Sequence, residues 1–147
     1  MKPKNEMKLL FQSRSENEAF ARAAVAAFVS QLDPTVEDLV DIRTSVSEAV
    51  TNCIVHAYPG GIGPVILSVR IYTSGRVLMK ISDKGIGIED VEKAMEPLFT
   101  TGGEERSGLG FSVMQSFSDK LRVSSKKGKG THVVLEKYID MTAGKAE

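Results

Sequence analysis

The sequence predicts an α+β fold, a two-layer sandwich in which a mixed, mostly antiparallel sheet is covered on one face by helices. Two observations lead to this prediction. Runs rich in β-branched residues come in pairs separated by short turns, as in hairpins, and do not alternate one by one with helices. Two long segments with apolar residues at helical spacing precede the first pair. This grouping favours a two-layer sandwich over a doubly wound parallel sheet.

The amino-terminal part of the chain is predicted to form a short strand and a first helix. Lys8 to Ser13 is predicted as the strand. Ser15, with Glu18 three residues later, has the pattern of a capping box that opens a helix reaching about Gln31. Five residues of this helix fall on one apolar, Ala-rich face: Phe20, Ala23, Ala24, Ala27 and Phe28.

A second helix is predicted from about Val36 to Ala57, after the punctuation of Pro34 and Thr35. Its apolar residues form a stripe that we expect to be buried: Leu39, Ile42, Val46, Ala49, Val50, Cys53 and Ala57. The segment Tyr58-Pro59-Gly60-Gly61 is expected to end it.

Two hairpins follow, separated by a long loop and a third helix. The strands are predicted at Val65 to Tyr72, Arg76 to Ser82, Leu121 to Ser125 and Thr131 to Tyr138. Between the hairpins, Asp83 to Gly110 is loop-rich, and a helix is predicted from about Leu109 to Asp119. Long loops inside compact domains are uncommon and usually bind ligands or act as lids, so this segment is the predicted site.

Composition narrows the classes of function. The 147 residues are predicted to form a single domain over 1–147, with its core at about 8–138 and short polar tails. The single cysteine, Cys53, excludes an intramolecular disulfide framework, and a zero formal net charge makes nucleic acid an unexpected partner. The longest apolar stretch, Ala23 to Val29, is too short to span a membrane. The first eight residues lack the apolar segment of a secretory signal, and a single cysteine fits a reducing compartment. We therefore expect a cytoplasmic protein.

Glu48, Asn52 and His56 form one polar line on the second helix, because they are spaced at i, i+4 and i+8. An asparagine carbonyl suits Mg²⁺, which prefers oxygen ligands and keeps several waters. A carboxylate one turn away can take a proton from a hydroxyl or water. The same three residues also fit a plain solvated helix face, since polar pairs at this spacing are routine.

The long loop begins with Asp83-Lys84-Gly85-Ile86-Gly87-Ile88, directly after a predicted strand. Aspartate and glycine are common turn residues, so a simple turn is one interpretation. The other is a ligand site, because the two glycines let the backbone approach a flat group. An aspartate at that rim can accept a hydrogen bond from an exocyclic amine such as that of adenine.

The loop closes with Ser107-Gly108-Leu109-Gly110-Phe111, which we expect to open the third helix. Backbone N–H groups at a helix amino terminus form a natural phosphate site, although the glycines also fit a tight entry into the helix. Arg106 just before them is either a surface charge or a ligand for a γ-phosphate. The chain contains no Walker A pattern.

The order of these elements resembles a known family. E-x-x-x-N on a helix, D-x-G-x-G after a hairpin, a loop closing with G-x-G, and G-x-G-T at Gly128 to Thr131 follow one another along the chain. They are similar to the N, G1, G2 and G3 motifs of the ATP-binding domain shared by DNA gyrase, the Hsp90 chaperones, sensor histidine kinases and MutL proteins. The resemblance covers about Lys8 to Tyr138 and implies the Bergerat-type ATP-binding fold.

Within that family the chain is most similar to small bacterial anti-sigma factors that are also serine kinases. Four segments carry the closer likeness: 14–22, 47–58, 97–101 and 105–111. The resemblance implies that Asn52 coordinates Mg²⁺, that Glu48 is the general base and that Asp83 reads the adenine amine. It implies further contacts to ATP from Gly85 and Gly87 at the base, Thr131 near the adenine through water, Gly108, Leu109 and Gly110 at the phosphates, Arg106 at the γ-phosphate, and Thr100 and Thr101 in the lid.

Three other side chains have two interpretations each. Arg22 is either a solvated cation or, by the resemblance, the residue that contacts the sigma factor and its rival. His56 either lies near the phosphates or is stabilised by the helix dipole in the last turn. Thr131 is otherwise an ordinary β-branched strand residue. For Cys53 we expect a small buried hydrophobe.

Two functions remain open. The resemblance implies an enzyme that uses Mg²⁺ and ATP to phosphorylate a serine of an anti-anti-sigma antagonist while sequestering a sporulation sigma factor, of which sigma F is the expected one. The alternative is a nucleotide-gated protein that only sequesters the sigma factor. Glu48 favours the kinase, since transfer to a serine needs a proton acceptor. A homodimer through the first strand and first helix is also expected, because both present surface that needs covering.

Overall fold

The computed structural model describes residues 2–96 and 105–141, with the backbone alone for residues 105–109. Strands are β1 (Asn5–Gln12), β2 (Pro64–Ile71), β3 (Arg76–Asp83), β4 (Lys120–Lys126) and β5 (Gly130–Tyr138). Helices are α1 (Glu16–Val29), α2 (Val36–Asn52), α3 (Val91–Met95) and α4 (Glu105–Ser116), and short helical turns follow α1 at Ser30–Leu32 and α2 at Cys53–Ala57.

The strands form one five-stranded sheet in the order β1-β2-β3-β5-β4. Each described pairing is antiparallel, so the parallel component allowed by the predicted mixed sheet is not seen among the described strands. Both predicted hairpins are present, as β2–β3 and β4–β5. The predicted α+β fold is confirmed, with β1 and β4 at the two edges.

The helices cover one face of the sheet. Alternate residues of β2 and β3, such as Leu67 and Met79, point into the core because successive side chains of a strand face opposite sides. Helix α2 packs against both α1 and α4. Its predicted stripe is buried at Ile42, Val46, Ala49, Val50, Cys53 and Ala57, and Leu39 is partly buried.

Helix α1 turns a different face to the core from the one predicted. Ala21 and Val25 are fully buried, as is Val29, whereas Phe20 is 51% exposed. The capping box is also absent, because Ser15 has helical backbone angles and its side chain caps no backbone N–H. Glu18 instead accepts a hydrogen bond from Ser47 on α2, 2.9 Å away. The Glu18 carboxylate, which the local pattern assigned to the helix cap, is therefore used in a tertiary contact to α2.

Two helix ends differ from the predictions. The α-helical part of α2 ends at Asn52, and Cys53–Ala57 continue as a π-helical turn. Helix α4 begins at Glu105, four residues before the predicted start at Leu109, so Gly108 and Gly110 lie within its first two turns. Across the described part of the chain, no helix combines the length and apolar character needed to cross a membrane.

Candidate functional site

A cavity of about 390 Å³ opens between the end of α2, the end of β3, the start of β5 and α4. This volume is in the range of small-molecule sites. Most of its wall is apolar, as at Ile81, Phe111 and Val133, with a few polar groups among them. Four polar residues that the sequence analysis singled out line the cavity: Asn52, His56, Asp83 and Thr131.

Asp83 lies at the end of β3 with its carboxylate fixed in place. Its Oδ1 accepts hydrogen bonds from the backbone N–H of Gly85, at 2.9 Å, and of Thr131, at 3.2 Å. The residue is only 5% exposed. Asp83 also lines the cavity, so a carboxylate held by two backbone donors borders the space in which an exocyclic amine would donate to it.

Cys53 lies beside Asp83 under the cavity. Burial raises the pKa of its thiol well above the usual range, and the neighbouring Asp83 carboxylate raises the pKa further. The thiol is therefore protonated at neutral pH, as expected for the small buried residue that the sequence predicted.

The glycines of the 83–88 loop permit close backbone contacts. A β-carbon on Gly85 would overlap the carbonyl of Ala57, which also accepts a hydrogen bond from the Ile86 N–H at 2.9 Å. Gly87 has a φ of +77°, and a β-carbon there would overlap the carbonyl of Lys126. The loop is therefore held between the end of α2 and the β4–β5 turn, and both glycines are needed for that packing.

Thr131 belongs to a hydrogen-bonded group on the far side of the loop. Its hydroxyl lies 2.8 Å from the Ser125 Oγ. Ser125 Oγ also accepts from the Ile88 N–H at 2.7 Å and lies 2.9 Å from the Gly130 carbonyl. The sequence identified Thr131 but not Ser125, since a serine inside a predicted strand carries no local signal of this contact.

Tyr58 is a second residue that the sequence did not single out. Its hydroxyl donates to the Pro64 carbonyl at 2.5 Å and accepts from the Lys84 N–H at 2.7 Å. Burial raises its pKa. Tyr58 thus ties the end of α2 to the residue after Asp83. The nearest signal was the aromatic residue directly before Pro59-Gly60-Gly61, which pattern alone assigns to a helix stop.

Glu48 and Asn52 both lie against Gly110 of α4, and Asn52 also lines the cavity. A β-carbon on Gly110 would lie 3.2 Å from Asn52 Oδ1 and 3.4 Å from Glu48 Oε2, so the two side chains and this glycine are adjacent. The Asn52 Nδ2 is buried and makes no hydrogen bond within the described residues. The predicted polar line of α2 is therefore no simple solvated face, because its middle member lies against α4 with an unused donor.

This arrangement fits a magnesium nucleotide. The described residues contain no cluster of three or more His, Cys, Asp or Glu side chains able to hold a metal ion by themselves. A single amide oxygen suits Mg²⁺ bound mainly by phosphates and water. Asn52 Oδ1 would be that oxygen, and the buried Nδ2 beside it, which has no partner among the described residues, would donate to a phosphate oxygen.

The remaining predicted residues are less completely described. Thr100 and Thr101 lie outside the described residues, and of Arg106, Gly108 and Leu109 only the helical backbone of α4 is described. His56 lines the cavity. Arg22 lies apart from it on α1, half-buried, and forms an ion pair with Glu18 at 3.6 Å.

The chain has recognisable relatives. Residues 11–137 match the model of the histidine kinase-like ATPase domain family. Anti-sigma F factors of Thermoanaerobacter sp. strain X514 and Geobacillus kaustophilus are 56% and 54% identical to it, each across 92% of this chain and 94% of the relative. That of Clostridium beijerinckii is 50% identical across 95% of this chain and 98% of the relative.

A solved structure shares the fold. The RsbU and RsbW domains of Rv1364c from Mycobacterium tuberculosis superpose with a TM-score of 0.68 at 15% identity, across 93% of this chain and 32% of that one. The order of the four motifs, the geometry of the cavity and the extent of these matches agree. The chain belongs to the histidine kinase-like ATPase domain family and, within it, to the anti-sigma F factors.

Proposed function

We propose that this protein is an anti-sigma factor and a serine kinase. It sequesters a sporulation sigma factor, sigma F, and uses Mg²⁺ and ATP to phosphorylate, and so inactivate, a serine of an anti-anti-sigma antagonist. The names of the relatives support the sigma factor as partner, and the family supports ATP. We propose further that residues 1–147 act as one ATP-binding domain in the cytoplasm, where sigma factors work.

The observation that carries the kinase proposal is the convergence of Glu48, Asn52 and Gly110, of which Asn52 lines the cavity. Asn52 would hold Mg²⁺ through its amide oxygen, with phosphates and water as the other ligands. Gly110 lets the backbone of α4 lie close to both side chains, since a β-carbon there would lie 3.2 Å from Asn52 Oδ1. Glu48, one helical turn from Asn52, is then beside the position of the γ-phosphate, where a proton acceptor is required.

The cavity supports adenine as the base. Asp83 would accept from the adenine amine, and Thr131 would support that contact through water. Gly87 lines the base pocket, and Ile81, Phe111 and Val133 provide apolar walls for a flat ring. Gly85, predicted as a second lining residue, does not line the cavity and instead packs the loop against the Ala57 carbonyl. Arg106, Gly108 and Leu109 are proposed phosphate contacts, and Thr100 and Thr101 are further proposed nucleotide contacts.

In the proposed reaction the bound ATP supplies the phosphoryl group, and Glu48 takes the proton. The serine hydroxyl of the antagonist approaches in line with the γ-phosphate. Glu48 accepts its proton as the new oxygen–phosphorus bond forms, and ADP leaves.

A second candidate is a nucleotide-gated sequestering protein without significant kinase activity. The names of the relatives mention anti-sigma activity and do not mention phosphorylation, so they are consistent with this candidate as well. Both candidates require nucleotide binding. They differ at Glu48, because sequestration needs no proton acceptor.

We propose that two copies form a homodimer through β1 and α1. β1 is an edge strand, and Leu10 on it is 68% exposed. On α1, Phe20 is half-exposed and Ala23 and Ala27 are exposed, so the helix presents apolar surface beyond its buried face. A twofold interface would cover both elements at once. It would also bring the two Arg22 side chains to one shared surface for a single sigma factor.

Labelled ATP tests the proposed function directly. The protein is incubated with Mg²⁺, γ-labelled ATP and a candidate anti-anti-sigma protein, and phosphoserine is detected by mass spectrometry. Stoichiometric labelling of one serine is the expected result. Binding of nucleotide and sigma factor without any labelling would favour the sequestering protein, and the absence of nucleotide binding at millimolar ATP would overturn both candidates.

A further inference from the structure

A second cavity lies in the groove between α1 and α2, outside the nucleotide pocket. It has a volume of about 280 Å³, and its lining residues are Arg22, Val40, Arg43, Thr44, Ser47 and Glu48. The groove therefore joins the proposed proton acceptor, Glu48, to Arg22 on α1, which the family resemblance assigned to partner binding. No other residue of the proposed ATP site lines it.

The dimensions of the groove suit a short extended peptide. From Val40 to Glu48, α2 advances about 12 Å at roughly 1.5 Å per residue. An extended chain covers this distance in about four residues at roughly 3.3 Å each. Val40 is 48% exposed and offers an apolar contact, and the hydroxyls of Thr44 and Ser47 offer hydrogen bonds.

The two arginines of the groove differ in whether they form an ion pair. Arg22 is paired with Glu18, and Glu18 also accepts from Ser47. Arg43 is exposed and takes part in no ion pair among residues 2–96 and the described side chains from 110 onward. Three acidic residues of α2 lie within five positions of it: Asp38 and Asp41 are within ion-pair distance of Lys137, and Glu48 lines the same groove without forming an ion pair to Arg43. The guanidinium of Arg43 is thus available to a carboxylate from outside.

We infer that the groove binds the phosphoacceptor segment of the protein substrate in an extended conformation, with its serine at Glu48 and an acidic side chain on Arg43. This inference rests on the proposed kinase function and adds a specificity-determining residue to it. Arg43 precedes Glu48 by five positions, or about 7.5 Å along the helix axis. The acidic residue is therefore two or three positions from the serine, since an extended chain advances roughly 3.3 Å per residue.

The test compares Arg43→Glu with Arg122→Glu. Arg122 is an exposed arginine on β4, on the sheet face away from the helices, so the control makes the same charge change outside the groove. Phosphorylation of the full-length anti-anti-sigma protein is followed at varied substrate concentration. Arg43→Glu should raise KM about ten-fold or more with less than about a two-fold change in kcat, as for lost ground-state binding of a charged group. Arg122→Glu should leave both unchanged.

A charge exchange identifies the contact. Each Asp or Glu within three positions of the acceptor serine is replaced by Lys, and the changed substrate is tested with both forms of the kinase. For one such substrate, the KM with the unaltered kinase should be higher than that of the unchanged substrate. With the Arg43→Glu kinase, the KM of the same substrate should return towards the value of the unaltered pair. Equal KM values for Arg43→Glu and Arg122→Glu, or a substrate without an acidic residue in that window whose KM still depends on Arg43, would overturn the inference.

The affinity of the antagonist separates this inference from the kinase proposal. Titration of the labelled antagonist against the ATP-loaded protein reports binding without turnover. If the unaltered protein binds the antagonist and does not phosphorylate it, the kinase proposal fails. Arg43→Glu should weaken that binding about ten-fold even then, and unchanged binding would overturn the groove as the docking site.

Discussion

Gly130 at the start of β5 and Asp83 at the end of β3 approach so closely that a β-carbon on Gly130 would overlap the Asp83 carbonyl oxygen. Gly130 also has a φ of +99°, which side chains other than glycine rarely adopt. The contact brings the Thr131 N–H to the Asp83 carboxylate. Gly130 does not line the cavity, but it helps to position the Asp83 carboxylate that is proposed to bind the adenine amine.

Gly130→Ala should lower the stability of the protein by more than the roughly 1–2 kcal/mol cost of a left-handed alanine, because Asp83 must also move. Gly128→Ala is the matched control. Gly128 has a φ of +78° as well, but a β-carbon there meets nothing within 4 Å. Denaturant unfolding measures stability, and calorimetry measures ATP affinity. Only Gly130→Ala should weaken nucleotide binding; equal effects of the two variants would show that backbone strain alone accounts for the loss.

Asp83→Asn should weaken binding of ATP while leaving the fold intact. The amide keeps an oxygen for the Gly85 and Thr131 N–H groups, but it lacks the charge and one acceptor that the carboxylate offers the adenine amine. We expect at least about a ten-fold loss of affinity, equivalent to roughly 1.4 kcal/mol. Calorimetry with ATP is the measurement. Unchanged affinity would remove Asp83 from base recognition.

Tyr58→Phe should loosen the loop after β3. The change removes one hydroxyl and leaves the Lys84 N–H without its acceptor, at a cost of about 1–2 kcal/mol in unfolding free energy. Because Lys84 adjoins Asp83, ATP affinity should fall as well. A variant at the other edge of the sheet, Ser124→Ala, serves as a comparison for the loss of a hydroxyl. ATP affinity in Tyr58→Phe equal to that of the unaltered protein would restrict Tyr58 to a purely structural contact.

Arg22→Glu should abolish binding of both the sigma factor and the antagonist, while nucleotide affinity and the dimer persist. The new carboxylate would face Glu18, which now pairs with Arg22, so the surface changes sign locally. Arg22 lines none of the nucleotide cavity. Pull-down assays with each partner and light scattering provide the readouts. Capture of sigma factor by the variant, or a monomeric unaltered protein at micromolar concentration, would contradict the proposed surface.

The sequence predicted those structural features that depend on the local pattern of residue types. The two hairpins follow from β-branched runs with turn residues between them, and the buried stripe of α2 follows from apolar spacing. Contacts between distant residues were not predictable in this way. Glu18 fits a capping box, but Ser47 of α2 binds it instead.

Within the candidate site the same division holds. Asp83 and its glycines form a contiguous motif, so the sequence pattern singles them out as candidates. Tyr58 and Ser125 act through backbone groups far away in the chain, and no spacing rule reveals them. The π-helical turn at Cys53–Ala57 was also missed, because it depends on how the end of α2 meets the 83–88 loop.

Glu48→Gln separates phosphoryl transfer from binding more directly than any other change. The amide keeps the size and hydrogen-bonding capacity of the side chain beside Asn52 and Gly110, but it cannot accept the serine proton. Nucleotide and sigma factor affinities should match those of the unaltered protein. The rate of antagonist phosphorylation, measured with labelled ATP at saturating substrate, should fall by about 10²–10⁴-fold. Turnover at the unaltered rate in Glu48→Gln would contradict the role of Glu48 as the base.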